Sequence, residues 1–287
     1  MTSPRPLWLV INNASGSYSA DSAERLAACC NAAVAGPGAD IVRTISFPEE
    51  DLPIPADLEA ANVSVLAVFT GDGTLNAAIS RLEGWQGAVL PLPGGTMNLL
   101  SKRLHGNLDE ESILTRFCQG KVRAARPLVA TTTRGTALAD LLAGPGTVWN
   151  QVREALRESD VPGIVTGTAE AIVESYEGPH VHLVDPPAGR DEGYPLIQIT
   201  PTDAGLGVKG FYAETIADFL SQGAALLRWN FREGPHDDLG LFEQITLRQS
   251  DGSPIDLLLD GEPVAGSDQE VFGLAPSRVD LLATKHD

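Results

Sequence analysis

A parallel-sheet α/β half followed by a half of mostly antiparallel β-structure is the fold that this sequence predicts. Three observations carry the expectation. Apolar strand runs alternate with helix-periodic segments from Leu7 to Gln119, as in a parallel sheet flanked by helices. Beyond about Arg126, short apolar runs succeed one another between Gly, Pro and Asp turns, as in antiparallel sheet. Three polar or glycine-rich loops also come directly after predicted strands, where a parallel sheet gathers its ligand-binding loops.

The elements follow in order. "PLWLVIN" is an apolar run ending in the turn-prone "NNASGS". "SADSAERLAACCNAAVAG" reads as a helix, with Asp21 and Glu24 spaced as a capping box and Gly36-Pro37-Gly38 as a stop. "DIVRTISF" alternates as a strand, and "ADLEAAN" is a short helix candidate. "VSVLAVF" is apolar throughout, as befits a strand buried on both faces. The strand "GAVLPL" comes next, then helical stretches near Met97–Leu104 and Asp109–Gln119. After the change of pattern, "TVWNQVREALRESD" is an amphipathic helix and Glu214–Arg228 a further helical stretch, with Trp149 and Trp229 expected in the core. The strand candidates of this half are "HVHLVD", "YPLIQIT", "FEQITLRQ", "IDLLLD", "QEVFGLA" and "RVDLLAT". Neither a low-complexity spacer nor an internal repeat is visible.

Composition narrows the function classes. Hydrophobic residues make up 43% and charged residues 20%, ordinary for a soluble globular protein. The formal net charge of −18 disfavours nucleic acid as a partner and sustained docking on an anionic membrane. Three cysteines, Cys29, Cys30 and Cys118, supply neither a disulfide framework nor metal-ligand spacing. The N-terminal apolar run covers only Leu7–Ile11, too short for a signal or transmembrane segment. A reducing, cytoplasmic location is the expectation.

The chemistry is concentrated in the three loops: Asn12-Asn13-Ala14-Ser15-Gly16, Gly71-Asp72-Gly73-Thr74 and Pro93-Gly94-Gly95-Thr96-Met97-Asn98. Glycines let backbone N–H groups approach an anion, and a following helix adds its unpaired N–H groups. Ser15, Thr74 and Thr96 add hydroxyls. Each loop alone also reads as a turn; their recurrence at successive strand ends favours a polyphosphate site. Asp72 is the anomaly, because a carboxylate among phosphates repels them unless it holds a metal ion or accepts a proton. Both roles belong to phosphoryl transfer. Neither a Walker-type P-loop nor the Gly-x-Gly-x-x-Gly dinucleotide fingerprint is present.

These strings resemble the diacylglycerol kinase catalytic-domain family, which includes sphingosine kinases and bacterial lipid kinases. "GDGTLN" (Gly71–Asn76) resembles its Gly-Gly-Asp-Gly-Thr-Leu-Asn signature, "LPLPGGTMN" (Leu90–Asn98) its Leu-Pro-x-Gly-Thr-x-Asn, and "INNASGSYS" (Ile11–Ser19) its first loop. "IDLLLDGEPV" (Ile255–Val264) is similar to the strand that carries Asp-Gly-Glu. The resemblance implies an α/β nucleotide-binding domain over residues 1–128, completed by about 275–287, and a mainly antiparallel β-sandwich substrate domain over 129–274. It implies an ATP-dependent kinase using Mg²⁺ and phosphorylating a hydroxyl on a diacylglycerol-like lipid, with transient contact at a membrane surface. Its implied nucleotide contacts are Asn12, Ser15, Gly16, Thr70, Gly71, Gly73, Thr74, Gly95, Thr96 and Asn98. Asp72 would act beside the transferred phosphate, as a metal ligand through Mg-ATP or as a proton acceptor, and Glu262 would be the second catalytic carboxylate. A homodimer is left open.

The chain also departs from that pattern. Thr70 replaces the signature's first glycine, Asn13 the first loop's proline, and Leu99 follows Asn98 where many members carry aspartate. The family's Asn-x-x-Gly-x-Gly-Phe-Asp-like stretch is not found; "TTTRGTALADLLAGPGTVWNQVREALRE" stands there instead. Asp260-Gly261 taken alone is a hairpin signal. Asp237 and Asp238 read as solvated turn acids rather than metal ligands, and His180 and His182 alternate along a strand without a third ligand. Lys102, Arg103, Arg116, Lys121 and Arg123 line either a phosphate-facing edge or a solvated helix face. Two other readings stay open: a kinase of a soluble acceptor such as NAD, and an ATP-binding scaffold without transfer.

Overall fold

A computed structural model describes residues 5–13, 21–32, 38–145, 178–212 and 235–284. The helix candidates over Thr147–Asp160 and Glu214–Arg228, the tryptophans Trp149 and Trp229, and the loop residues Ser15 and Gly16 lie outside the described residues. The chain forms two compact units, Met1–Pro127 with Pro276–Asp287, and Leu128–Ala275.

In chain order the first unit contains β1 (Arg5–Asn12), α1 (Ser22–Ala32), β2 (Ala39–Phe47), α2 (Pro55–Ala60), β3 (Val65–Thr70) and α3 (Asp72–Arg81). It continues with β4 (Ala88–Pro93), α4 (Leu99–His105), α5 (Glu110–Cys118) and β5 (Arg123–Ala125). The second unit supplies β6 (Leu128–Thr132), β7 (Gly135–Ala137), β8 (Leu141–Ala143), β9 (Val181–Asp185), β10 (Pro187–Ala188) and β11 (Leu196–Thr202). Next come β12 (Gly205–Phe211), β13 (His236–Phe242), β14 (Gln244–Gln249), β15 (Asp256–Leu259), β16 (Glu262–Ala265) and β17 (Gln269–Pro276). The last strand, β18 (Asp280–Ala283), belongs to the first unit.

The first unit is the predicted parallel α/β layer. Its sheet runs β2-β1-β3-β4-β18-β5. Every described pair is parallel except β18–β5. All six residues of β3 are buried, which explains its unbroken apolar sequence. The helices present apolar faces at helical spacing: Leu75, Ala78, Ile79 and Leu82 around α3, and Ile113, Leu114, Phe117 and Cys118 on α5. The Asp109 carboxylate caps α5 by accepting the Ser112 N–H at 2.7 Å. Strand order reverses about β1 and β3, since β1 leads outward to β2 while β3 and β4 extend the other way. Such a switch opens a crevice at the carboxyl ends of the strands.

The described residues of the second unit form two six-stranded sheets, β10-β9-β14-β17-β6-β7 and β13-β12-β11-β8-β15-β16. Ile197, Ile199, Leu206 and Val208 from one sheet share a core with Ile245, Leu247 and Phe272 from the other, the packing of a β-sandwich. Residues one position out of step, Leu142, Leu196, Phe211 and Leu258, form a second buried cluster on the opposite face of the β11 sheet.

Several strands were not anticipated. "TTTRGTALADLLAGPG" contributes to β6, β7 and β8, and the glycine-rich "GLGVKGF" is β12. Gly210 of β12 lies under the Tyr194 ring, where a Cβ would come within 2.5 Å. The segment holding Asp237 and Asp238 is the strand β13 rather than a turn. Asp237 accepts hydrogen bonds from Arg190 at 2.7 Å and from the Tyr194 hydroxyl at 2.8 Å. That arginine holds the Asp237 carboxyl below the usual carboxylate range.

Candidate functional site

The three predicted loops leave the carboxyl ends of β1, β3 and β4, which are neighbours in the sheet with Ile11 beside Phe69 and Thr70 beside Pro93. Hydrogen bonds then tie the loops to one another. Asn12 Nδ2 donates to Thr74 Oγ1 at 3.0 Å, joining the first loop to the second. Gly94 N–H donates to the Thr70 carbonyl at 3.2 Å, joining the third to the second. The glycines allow this approach. A Cβ on Gly95 would stand 2.4 Å from the Gly71 Cα, and one on Gly94 would stand 2.5 Å from the Thr70 nitrogen. Two backbones therefore pack where no side chain fits.

Within this frame, Thr70 is buried at the end of β3 and its hydroxyl donates to the Gly71 carbonyl at 3.1 Å. Gly71 is the extended N-cap of α3, and Asp72, Gly73 and Thr74 form that helix's first turn. Thr96 is exposed. Asn98 takes the left-handed conformation (φ 53°) and closes the third loop on itself. Its Oδ1 accepts the Gly95 N–H at 2.7 Å and its Nδ2 donates to the Gly95 carbonyl at 2.8 Å. Asn98 thus shapes the loop with the groups that a nucleotide contact would use.

Asp72 faces inward, 9% exposed. Its two carboxylate oxygens accept the N–H groups of Leu99 at 3.1 Å and Leu100 at 3.3 Å. It therefore sits on the N-terminus of α4, where backbone N–H groups need acceptors. Burial pushes its pKa up, while the N–H groups of Leu99, Leu100 and Asn98 and the Lys102 ammonium pull against that rise. Lys102, one of the basic residues considered from the sequence, contributes its charge to Asp72.

In the second unit, Asp260 (φ 51°) and Gly261 (φ 91°) form the two-residue turn between β15 and β16. Both are left-handed, as the tightest hairpin turns require. Glu262 opens β16, an edge strand, and is exposed. Asp260, in contrast, is 7% exposed and accepts three consecutive backbone N–H groups: Leu138 at 2.7 Å, Ala139 at 2.9 Å and Asp140 at 3.1 Å. Asp140 is also buried, and its carboxylate accepts Gln198 Nε2 at 2.9 and 3.0 Å and Thr200 Oγ1 at 3.3 Å. Nothing in the sequence around Asp140 announced this arrangement. Another unforeseen buried carboxylate is Glu270, bonded to Arg134 at 3.1 Å, Thr132 at 3.0 Å and the Ser267 N–H at 2.7 Å.

Among the described residues no group of three or more His, Cys, Asp or Glu side chains is arranged to hold a metal ion. His180 Nδ1 lies 3.0 Å from the Glu192 carbonyl, a backbone contact. Among the described residues, no helix is long and apolar enough to cross a membrane.

Comparisons with known proteins agree with this architecture. Residues 6–129 match the sequence model described as the diacylglycerol kinase catalytic domain. No curated protein matches the chain. The fold is similar to the crystal structure of a diacylglycerol kinase from Bacillus anthracis, with a TM-score of 0.58, 15% identity and coverage of 97% of this chain and 96% of that one. A second Bacillus anthracis structure, described as a candidate diacylglycerol kinase, gives a TM-score of 0.58 at 15% identity over 99% of this chain and 98% of its own. At that identity the structural likeness speaks for the fold, and the sequence match speaks for the lineage of the first unit. The locked glycine loops fall within residues 6–129, the part of the chain that is similar to the diacylglycerol kinase catalytic domain.

Proposed function

We propose that the protein is an ATP-dependent lipid kinase that transfers the γ-phosphoryl group of Mg-ATP to a hydroxyl of a diacylglycerol-like lipid. The observation that carries this reading is the set of three loops at adjacent strand ends, drawn together by Asn12–Thr74 and Gly94–Thr70 hydrogen bonds. A loop frame fixed in this way can receive phosphate without reorganising, and phosphoryl transfer is accelerated mainly by such positioning and electrostatics.

Gly71, Gly73 and Thr74, at the amino end of α3, offer N–H groups and a hydroxyl to the phosphates; Thr96 adds the hydroxyl of the third loop, and Gly95, its N–H held by Asn98 Oδ1, lets that loop lie against Gly71. Thr70 sets the end of β3, and Asn12 and Asn98 hold the loops in shape. Ser15 and Gly16 complete the first loop in this reading. Mg²⁺ fits a site with a single carboxylate when the nucleotide supplies phosphate oxygens and water supplies the rest. Asp72 is the residue that would hold it, and when bound the ion would supply neutralisation of the phosphate charge. Alternatively, the raised pKa of Asp72 suits it to take a proton. Glu262, exposed on its hairpin, removes the proton of the acceptor hydroxyl.

Incubating the protein with γ-labelled Mg-ATP and diacylglycerol in mixed micelles, in parallel with NAD, tests the reading. Label in the lipid is the expected result. Label in NAD instead would transfer the mechanism to a soluble acceptor. Label in neither, with ATP still raising the melting temperature, would leave an ATP-binding scaffold.

A further inference from the structure

We infer that Asp260 is a positioning residue for Glu262, the carboxylate that aims its neighbour rather than a second base. This rests on the role given to Glu262 above. Among the described residues Glu262 lies on an edge strand that is paired on one side, through a four-residue ladder with β15. β15 is itself paired to β8 through Leu257–Leu259, so the sheet holds one arm of the hairpin, while the turn and β16 depend on what anchors the turn. A catalytic group has to be held within a fraction of an ångström by supporting bonds. Asp260 supplies them to the backbone of the turn from which Glu262 departs. Its N–H donates to the Asp140 carbonyl at 2.9 Å, and its carboxylate takes the N–H groups of Leu138, Ala139 and Asp140. Three of roughly four lone-pair sites on that carboxylate are thereby filled by backbone donors. Such a group is committed to the turn.

The anchorage extends further. The 138–140 segment is fixed to β11 through Asp140, which binds Gln198 and Thr200. Glu262 is consequently tied through the turn to Asp260, through Asp260 to residues 138–140, and through Asp140 to the middle of its sheet. Gly261 contributes the conformation, because its φ of 91° is one that a side chain strains.

The test compares Asp260→Asn, Glu262→Gln and the double variant, assayed with Mg-ATP and dioctanoylglycerol in mixed micelles. Asparagine keeps the shape and tolerates the left-handed turn, but its NH₂ group opposes one of the three N–H donors. The expected result for Asp260→Asn is a kcat loss of about 10–100-fold with KM for Mg-ATP unchanged, and faster amide exchange at Leu138, Ala139 and Asp140. In the Glu262→Gln background the same change should cost nothing more, since two groups acting as a unit do not contribute separately. If Glu262→Gln is inactive while Asp260→Asn keeps full kcat, or if the two losses multiply, the inference is overturned and the role of Glu262 stands. If Glu262→Gln keeps full activity, the reading of Glu262 fails first, and the inference with it. Should Asp260→Asn not fold, Gly261→Ala leaves the carboxylate in place and strains the turn alone. A matching fall in kcat is then expected, and an unaltered kcat overturns the inference.

Discussion

At the scale of single residues, Asp72 has a structural role beside the chemical one proposed for it. Two backbone N–H groups from α4 hold its oxygens, yet burial still drives its pKa upward. The consequence for stability has a definite sign. A carboxyl whose pKa is raised on folding contributes stability that is complete below the unfolded value, ordinarily 3.8, and lost as pH rises through the folded value. Asp72→Asn removes that pH-dependent penalty, while its NH₂ group leaves one N–H of α4 unmatched at a cost of about 1–2 kcal/mol. Urea unfolding across acid and neutral pH should therefore show the variant gaining on the native protein as pH rises from below 3.8. Parallel curves would mean that burial does not perturb the carboxyl. The same variant should retain its fold and lose turnover, and near-normal phosphoryl transfer would remove Asp72 from the mechanism.

At the scale of elements, the α4 entry loop works as a preformed clasp whose strength is divided between conformation and hydrogen bonding. Asn98 provides both, through its φ of 53° and its two bonds to Gly95. Asn98→Gly keeps the conformation and loses the bonds, whereas Asn98→Ala loses the bonds and strains the backbone. Each net hydrogen bond contributes about 1 kcal/mol, and a left-handed alanine costs about 1–2 kcal/mol more. Chemical denaturation should rank the native protein above Asn98→Gly, and Asn98→Gly above Asn98→Ala. Equal losses in the two variants would show that the conformation carries no strain.

The same elements show what could be seen in advance. β1, β3 and β4 were legible because a strand buried on both faces writes itself as an apolar run, and the loops because glycine and asparagine mark turns. β12 was not, because Gly210 makes room for the Tyr194 ring and Gly205 for the Phe242 backbone rather than following local preference. β13 looked like an acidic turn because Arg190, the partner of Asp237, lies 47 residues away in sequence. Asp260-Gly261 was readable as a turn, but the N–H groups that bury its carboxylate stand 120 or more residues earlier. Sequence periodicity reports what a segment does to itself; these partners come from elsewhere in the chain.

At the scale of the whole molecule, the chain leaves its first unit at Pro127 and returns to it from Pro276. What it brings back is an interior strand, since β18 lies between β4 and β5 in the sheet. It pairs parallel with β4 and antiparallel with β5, and the Thr284 N–H bonds the Leu104 carbonyl at 3.2 Å. Val279, Leu281 and Leu282 are buried there. At about 1.5–3 kcal/mol for each buried side chain, their sum is comparable with the 5–15 kcal/mol that stabilises a typical domain. Deleting residues 276–287 would also strip β4 of its outer partner and leave β5 without a neighbour. The expected result is a first unit without a cooperative thermal transition and with fast amide exchange in β1, β3 and β4, while protection persists in β11 and β14. A truncated chain that kept exchange protection in β3 and β4 would show that the returning strand is dispensable. Any account of the loops at the ends of β1, β3 and β4 as a rigid phosphate cradle would then need its support from the helices alone.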